Sequence, residues 1–216
     1  MAEFTQRLSP LTGAENSRSP WESPSLHLVK PSHPEVTHRF QRRAYLPTYS
    51  GQVWLLKSGV VRTLTHTEEG AVIVLGVWGP GDIVGLPLSL ANPYLIESMT
   101  EVQAVTLSTI AWQPPAEAFV SYLKQTEQLM IARAPRRADL ALFGVLNWLA
   151  QRFGLQVERG CLIDLRITHQ DLADLSGISR VTVTRLLRQL EEKGLLYRRS
   201  RQLILAESTH QWHYQI

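Results

Sequence analysis

Three arginines near the carboxyl end of the chain recur at positions that would share one face of a helix. They are Arg180, Arg185 and Arg188, and Val181 and Thr184 lie between them on the same face. An arginine guanidinium can donate two hydrogen bonds to O6 and N7 of guanine, whereas a valine contacts only an apolar group such as the thymine methyl. This set of residues therefore predicts base reading in the major groove of DNA.

Two short helices joined by a tight turn are predicted to hold this face in place. Thr168 is a suitable N-cap for a helix over residues 169–176, and Ser179 for a second helix that runs to about Lys193. Gly177 can take the positive φ that the turn requires, and the small Ala173 allows the helices to cross closely. This arrangement is a helix-turn-helix. Apolar residues fill its remaining core positions: Leu172, Leu175, Ile178, Val183, Leu186, Leu187 and Leu190.

Polar residues near the starts of both helices are predicted to contact DNA phosphates, which fixes the register without reading the sequence. After Gly194, residues 195–206 read as a β-hairpin, which would form a wing with its arginines near the DNA backbone. The complete set of predicted backbone contacts is Thr168, His169, Gln170, Ser179, Thr182, Thr184, Arg188, Arg198, Arg199 and Arg201.

The charge distribution agrees with a carboxyl-terminal segment that binds a polyanion. The 216-residue chain has 22 Lys+Arg and 19 Asp+Glu, and residues 166–216 hold eight of the basic and five of the acidic side chains. That segment therefore carries the whole net charge of +3. Clustered basic charge is typical of surfaces that bind nucleic acid, although a solvated basic face has the same composition.

The rest of the chain divides by its patterns. Short strands separated by glycine turns, at 53–57, 60–66, 71–78 and 102–107, are typical of an antiparallel barrel or roll. Apolar spacing predicts helices between residues 116 and 153, with a break at Pro135 and a C-cap at Gly154. The predicted class is α+β. Its predicted parts are a mobile N-terminal arm (1–37), a β-roll sensor-like domain (38–114), a helical dimerisation region (115–153) and a winged helix-turn-helix (154–216).

Residues 167–190, ITHQDLADLSGISRVTVTRLLRQL, resemble the winged helix of the Crp/Fnr transcription regulators. Within them SRVTVTRLL is most similar to the cyanobacterial NtcA-like branch of that family. Upstream, VWLLKSGVV (53–61) and GPGDIVG (79–85) resemble the family's cyclic-nucleotide-binding β-roll. The similarity spans residues 38–207.

The resemblance implies a β-roll sensor, a dimerising helix and a winged DNA-binding domain that acts as a symmetric homodimer on double-stranded DNA. It assigns base reading to Arg180, Val181 and Arg185, and a half-site GTA paired as GTA-N8-TAC, with half-sites about one helical turn apart. It also implies contact with RNA polymerase where the protein activates transcription. The helical region is shorter than in NtcA-like regulators, so we expect a short dimer seam over residues 126–132.

The effector pocket departs from the family pattern, in which a Gly-Glu-Leu-type segment followed by Arg-Ser holds ribose and phosphate. Residues 85–98 read GLPLSLANPYLIES instead, and no Arg or Lys lies between Arg62 and Lys124. Glu97 is expected to repel an anion near the phosphate position. Cyclic AMP and 2-oxoglutarate are therefore disfavoured, and we expect control by abundance, by a partner protein or by an unidentified ligand.

No cofactor or metal is expected. The single cysteine, Cys161, cannot build an iron–sulfur cluster or an internal disulfide, and is expected to be a buried small hydrophobe. Haem is not expected either, because the candidate histidines have no recognisable ligand spacing and read as surface or tail residues. These histidines are His27, His33, His38 and His66.

Two other classes compete with a DNA-binding regulator. An enzyme built on a cupin-like roll would need two or three histidines with a carboxylate on facing strands. Residues 44–112 contain a single histidine, His66, so no catalytic residue is predicted. A ligand-sensing or protein-interaction module, with secondary DNA binding, would not need Arg180 and Arg185 on its exposed face.

The location is expected to be cytoplasmic, with no membrane partner. No apolar run approaches the length of about 18 residues that a membrane helix needs. The first residues, MAEFTQR, lack the basic-then-apolar pattern of a secretory signal.

Overall fold

The computed structural model describes residues 36–110 and 116–206, and the predicted arm lies outside them except for Val36 and Thr37. The amino-terminal part is a roll of two four-stranded antiparallel sheets, in the orders β1-β8-β3-β6 and β2-β7-β4-β5. Its strands are β1 Thr37–Phe40, β2 Tyr45–Leu46, β3 Gln52–Ser58, β4 Val61–His66, β5 Val72–Trp78, β6 Ile83–Val84, β7 Leu95–Ser98 and β8 Val102–Ser108.

Two long helices and a winged helix-turn-helix follow the roll. The strands of this part form a third sheet in the order β11-β12-β10-β9. The elements are α1 Ala116–Arg133, α2 Ala138–Phe153, β9 Gly154–Val157, β10 Gly160–Ile163, α3 His169–Ser176, α4 Arg180–Glu192, β11 Leu196–Arg199 and β12 Gln202–Leu205. The α+β class, with a β-roll before a winged helix-turn-helix, is thus confirmed.

The interior of the roll is closed by apolar side chains from both of its sheets. Trp54 and Leu56 of β3 meet Val61 of β4 and Trp78 of β5, all of them buried. The Trp78 indole N–H donates to the Thr63 hydroxyl at 3.0 Å, which satisfies a polar group that burial would otherwise leave unpaired. The short apolar runs between glycine turns that predicted these strands therefore contribute to a shared core.

The four strands predicted in the roll are present to within a residue at each end, and the hairpin turn at 67–70 is closed by a bond from Gly70 N–H to the Thr67 carbonyl. No sequence pattern predicted the short strands β1, β2, β6 and β7, or strand β9. Residues 162–167 also read as strand-like in the sequence, but strand β10 ends at Ile163.

Helix α1 ends at Arg133 and helix α2 begins at Ala138, so the break predicted at Pro135 separates the two helices. The two helices approach each other closely at Gly144, where a Cβ would lie 2.2 Å from the Ala132 carbonyl oxygen. Helix α2 ends where predicted, but Gly154 is extended (φ −90°) and starts strand β9, so it is not the left-handed cap that the prediction assumed.

A second apolar core joins the roll to the carboxyl-terminal part. Val74 and Val77 of β5 belong to the same buried cluster as Leu142 and Leu146 of α2 and Leu187 of α4. Helix α2 is buried along most of its length because it lies between the two parts. The position of the helix-turn-helix relative to the roll is therefore set by packing as well as by the chain connection.

Buried Asp82, in the turn before β6, ties the roll to both long helices. Its carboxylate accepts hydrogen bonds from the Gly79 N–H at 2.7 Å and from the Gln125 side chain of α1 at 3.1 Å. It also forms an ion pair with Arg152 of α2. Burial lowers the pKa of Arg152, and the charge of Asp82 acts in the opposite direction.

None of the helices in the described part of the chain is long and apolar enough to cross a membrane.

The close approach at Gly144 predicts the sign of a stability change. Alanine is the better helix former by about 1 kcal/mol, but a side chain here must displace the backbone of α1, and overpacking costs about 1–3 kcal/mol. We expect Gly144→Ala to lower the free energy of unfolding in urea. Gly51→Ala is the control, since nothing lies within 4 Å of a Cβ at that position. A Gly144→Ala protein as stable as the wild type would contradict the close helix contact.

Candidate nucleic-acid interface

Helix α3 begins with a capping box that its own residues complete. The Thr168 hydroxyl accepts a hydrogen bond from the Asp171 N–H at 3.1 Å, and the Asp171 carboxylate accepts from the Thr168 N–H at 2.9 Å and from its hydroxyl at 2.7 Å. Burial raises the pKa of Asp171, but the hydrogen bonds from Thr168 and the charge of Arg43 outweigh it and hold the pKa below its usual range. The Thr168 hydroxyl is therefore engaged with an ionised carboxylate.

The turn between the helices has the geometry that the sequence predicts. Gly177 is left-handed, with φ +70°, and its N–H donates to the Ala173 carbonyl at 2.9 Å. Ser179 then caps α4, because its hydroxyl accepts from the Thr182 N–H at 3.2 Å. The two caps and the glycine fix the angle between α3 and α4 through local bonds.

Helix α4 has one buried and one exposed face. Val183, Leu186 and Leu187 lie in the core, whereas Val181 is 79% exposed. The outward face carries all the residues predicted for it, namely Arg180, Val181, Thr184, Arg185 and Arg188. Arg188 is paired with Glu192 at 3.1 Å.

Within the described part of the chain, Arg180 and Arg185 have no ion-pair partner, so their guanidinium donors face solvent.

His169 and Thr184 connect α3 to α4 beside this face. The Thr184 hydroxyl donates to the Arg180 carbonyl at 3.0 Å, so its oxygen accepts the bond of 2.8 Å from His169 Nδ1–H. Neutral His169 then has no proton on Nε2 and can donate from that atom only when it is protonated. Partial burial lowers the pKa of His169, as do the charges of Arg198 and Arg180, while Glu191 acts in the opposite direction.

The wing places further arginines near the start of α3. Arg198 and Arg199 lie on β11 and Arg201 follows in the turn, all three exposed; Arg198 forms an ion pair with Glu191. Because Arg198 is paired, Arg199 and Arg201 are the wing arginines with the more available charge.

A cleft of about 390 Å³ opens between the wing, the start of α3 and the turn after β1. Its lining includes Arg42, Arg166, Arg198 and Arg201 and contains no carboxylate. Arg42 reaches it from the roll, donating to the Met99 carbonyl at 2.9 Å and to the Arg166 carbonyl at 3.1 Å.

Arg42 and Arg166 were not predicted to belong to this surface. Arg166 lies two residues before the cap of α3 and is the one Lys or Arg between Arg159 and Arg180, so its place at the start of the basic carboxyl-terminal segment was the signal that could have found it. Arg42 lies 124 residues away from Arg166 along the chain, and no local pattern could have placed it there.

The prediction that Glu97 repels an anion is wrong in its physical reason. Glu97 is buried and its charge is compensated, because it accepts bonds from Arg62 at 2.7 Å and from Arg43 at 3.0 Å. It therefore does not stand as an isolated negative charge in the roll. The two arginines are in turn occupied by carboxylates, so neither is left free to bind a phosphate.

Cys161 is half-buried, and burial raises the pKa of its thiol, so it is mainly protonated at neutral pH. In residues 36–110 and 116–206, no three His, Cys, Asp or Glu side chains are grouped so that they could hold a metal ion. His27 and His33 lie outside the described residues.

Comparisons with known proteins agree with this geometry. The family model described as a Crp-like helix-turn-helix domain matches residues 142–208. The regulatory protein CysR of Synechococcus elongatus is 42% identical over 189 residues, which cover 84% of this chain and 91% of that protein. A global nitrogen regulator from Nostoc sp. is 40% identical over 138 residues, which cover 64% of this chain and 57% of that protein.

Two solved structures show the same fold. A transcriptional regulator of the CRP family from Thermus thermophilus has a TM-score of 0.66 at 21% identity and covers 79% of this chain and 92% of its own. FixK2 from Bradyrhizobium japonicum has a TM-score of 0.67 at 18% identity and covers 84% of this chain and 96% of its own.

The conformation of Gly177 predicts a loss of stability that involves no steric clash. An alanine at φ +70° costs about 1–2 kcal/mol in the left-handed region, although nothing lies within 4 Å of the added Cβ. Asparagine adopts this region more readily. We therefore expect Gly177→Ala to unfold at a lower urea concentration than Gly177→Asn. Equal losses in the two variants would show that backbone conformation is not what requires glycine.

Proposed function

Because the chain belongs to the Crp/Fnr family of transcription regulators, we propose that it binds a palindromic site of the form GTA-N8-TAC as a homodimer. The observation that carries this proposal is the exposed face of α4, where Arg180 and Arg185 have no ion-pair partner among the described residues and flank Val181. Each GTA half-site holds one guanine, to which one arginine can donate two hydrogen bonds; the other arginine can donate to an adenine N7 or thymine O4, and the valine offers an apolar contact to a thymine methyl.

Further residues around this face would hold the DNA backbone. We assign phosphate contacts to the exposed Gln170, Ser179, Arg199 and Arg201, with Thr182 half-buried beside them. Most of these side chains already have partners within the protein, so their contacts to DNA would share or exchange those bonds; they are Thr168, Gln170, Ser179, Thr182, Thr184, Arg188 and Arg198. Such contacts fix the register on the duplex and add affinity that falls with salt.

Helix α1 supports the homodimer. Its 18 residues expose Leu123 (67%), Met130 (57%) and Ile131 (66%), which a monomer would leave in water. Phe119, Leu123, Thr126 and Met130 are spaced by four, three and four residues, the pattern of a coiled-coil seam. The proposed dimer pairs this helix with its copy, and the two α4 helices then enter successive major grooves.

We also propose that DNA binding needs no cyclic nucleotide and no bound metal or haem, and that the protein works with RNA polymerase in the cytoplasm. The absence of a need for a cyclic nucleotide is supported by the roll, where Arg43 and Arg62 are both engaged with carboxylates. The described segment between Arg62 and Arg133 offers Lys124 of α1 as its one further cationic side chain.

The experiment is fluorescence anisotropy of the full-length protein with a GTA-N8-TAC duplex, a single half-site and a scrambled duplex, at one near-physiological salt concentration. We expect a Kd in the nanomolar range for the palindrome and much weaker binding to both controls. Replacing Arg180 and Arg185 with alanine should weaken palindrome binding by about 30-fold or more, because two base contacts of about 1–3 kcal/mol each are lost.

The matched control is Arg39→Ala/Arg136→Ala, which removes the same charge from exposed sites outside α4. This control protein should bind the palindrome at most several-fold more weakly than the wild type does. If the Arg180→Ala/Arg185→Ala protein keeps its preference for the palindrome, α4 is not the reading element, and the interaction-module alternative gains support.

His169 predicts that DNA binding strengthens as the pH falls. Phosphates near Nε2 raise the pKa of His169 in the complex above its depressed value in the free protein, because they favour the charged ring. Affinity should therefore begin to rise as the pH falls through the bound-state pKa and level off below the free-state pKa. A difference of one pKa unit corresponds to about tenfold in Kd.

This pH profile is measured by anisotropy between pH 8 and 5.5 at constant ionic strength. His169→Asn should flatten the profile, whereas His66→Asn, on strand β4 of the roll, should keep the wild-type slope. A His169→Asn protein with an unchanged profile would exclude this histidine as the titrating phosphate contact.

A further inference from the structure

Two arginines of the roll grip the first helix of the helix-turn-helix. Arg43 lies in the turn between β1 and β2, and Arg62 on β4; both reach across to acidic residues of α3. One Arg43 nitrogen donates to both carboxylate oxygens of Asp171 at 2.9 Å. Arg62 donates to Asp174 at 2.8 Å and lies 3.4 Å from Asp171.

Glu97 of β7 holds the two arginines in place from the other side. It accepts from Arg62 Nε at 2.7 Å and from Arg43 at 3.0 Å, so each guanidinium bridges the roll and α3. The Arg62, Glu97 and Asp174 side chains are all at most 8% exposed, and Asp171 is 1% exposed. We call these five residues, Arg43, Arg62, Glu97, Asp171 and Asp174, the roll–α3 ion cluster.

The cluster is better suited to fixing an angle than to adding stability. Removing charges from water costs much of what their attraction returns, so a buried ion pair contributes little net stability, while its hydrogen bonds hold only in one geometry. Asp171 also completes the capping box of α3, so the roll holds α3 at the residue that determines where the helix starts. A rotation of α3 against the roll would break these bonds.

The arrangement that the cluster holds is one in which DNA can be read. The outward face of α4 is exposed in it, so the contact does not cover the reading residues. It also brings Arg42 of the roll to the basic cleft beside Arg198 and Arg201, which extends the positive surface. Loss of the cluster should therefore weaken DNA binding rather than release it from inhibition.

We propose that Arg43 and Arg62 are positioning residues that set the angle of the helix-turn-helix against the roll, and thereby the half-site spacing that the dimer accepts. The proposal rests on the proposed binding of a palindrome by a homodimer. In a two-fold dimer the distance between the two α4 helices depends on how each helix-turn-helix is held against the rest of its subunit. A loosely held unit would accept several spacings with similar affinity.

The test compares full-length wild type with Asp174→Asn, Arg62→Gln and the double variant on duplexes with N6, N8 and N10 spacers. Two base pairs shift one half-site by about 7 Å and rotate it by about 70°, so a rigid dimer must discriminate between them. We expect the wild type to favour N8. Each single variant should bind N8 about tenfold more weakly and discriminate less among spacers, and the double variant should lose no more than either single one.

Asp174→Asn separates positioning from general electrostatics. It removes a negative charge from the DNA-binding part, which by itself favours binding to a polyanion. Positioning predicts weaker binding instead. Asp139→Asn, at an exposed site on α2, is the control with the same charge change, and Arg39→Gln is the control for Arg62→Gln. Gln170 also donates a hydrogen bond to Asp174 at 2.7 Å, so Asp174→Asn changes more than the contact with the roll. The positioning role therefore requires Arg62→Gln, on the roll, to have the same effect on binding as Asp174→Asn, on α3.

A purely structural role would reduce the active fraction of protein for all three spacers alike and leave their affinity ratios unchanged. Unchanged ratios, or Asp174→Asn binding N8 as tightly as the wild type, would overturn the positioning role while the preference for a palindrome stands. A wild type that binds all duplexes equally, including the scrambled one, would overturn the proposed function and the positioning role together.

Discussion

The apolar core that passes from strand β5 through α2 into α4 constrains everything else in this chain. Val77 of the roll, Leu146 of α2 and Leu187 of α4 belong to one buried cluster. The helix-turn-helix is therefore part of the same packed body as the roll. Apolar burial, however, has no direction of its own and tolerates small rotations of one part against another. The angle of the helix-turn-helix against the roll depends on contacts that do have direction, and the structure provides them as ion pairs that are largely buried.

These ion pairs show the structural role of two acidic residues, Asp82 and Glu97, that the sequence alone does not reveal. Asp82 joins a turn of the roll to Gln125 and Arg152, one on each long helix. Glu97, in the segment that replaces the family's ribose-binding motif, orients Arg43 and Arg62 toward α3. A carboxylate that would oppose a phosphate in an open pocket becomes, when paired, part of the connection between the roll and the DNA-reading part. The departure from the family motif therefore has a structural counterpart in this chain.

How far the sequence predicts the molecule depends on how local the determining contact is. Both helices of the helix-turn-helix, their caps and the turn were predicted within a residue, because Thr168, Gly177 and Ser179 act on neighbours three or four positions away. The longer strands of the roll were predicted from their apolar runs and the glycine turns between them. Strands β2 and β6 are two residues long and carry no period to detect. The bond from Arg43 to Asp171 spans 128 residues, and only the folded chain brings them together.

The long-range contacts between the parts of the chain also bear on how a signal could reach α4. In this chain α1 ends at Arg133, before the break around Pro135, and meets α2 through the close contact at Gly144. A change along α1 can reach α3 through that contact and α2, or through Gln125 and Asp82 into the roll. The roll, in contrast, touches α3 directly through two guanidinium groups. The direct contact between the roll and α3 is the shorter path. A displacement of the turn between β1 and β2, or of strand β7, would move Arg43 or Glu97 and reach α3 without any change in α1.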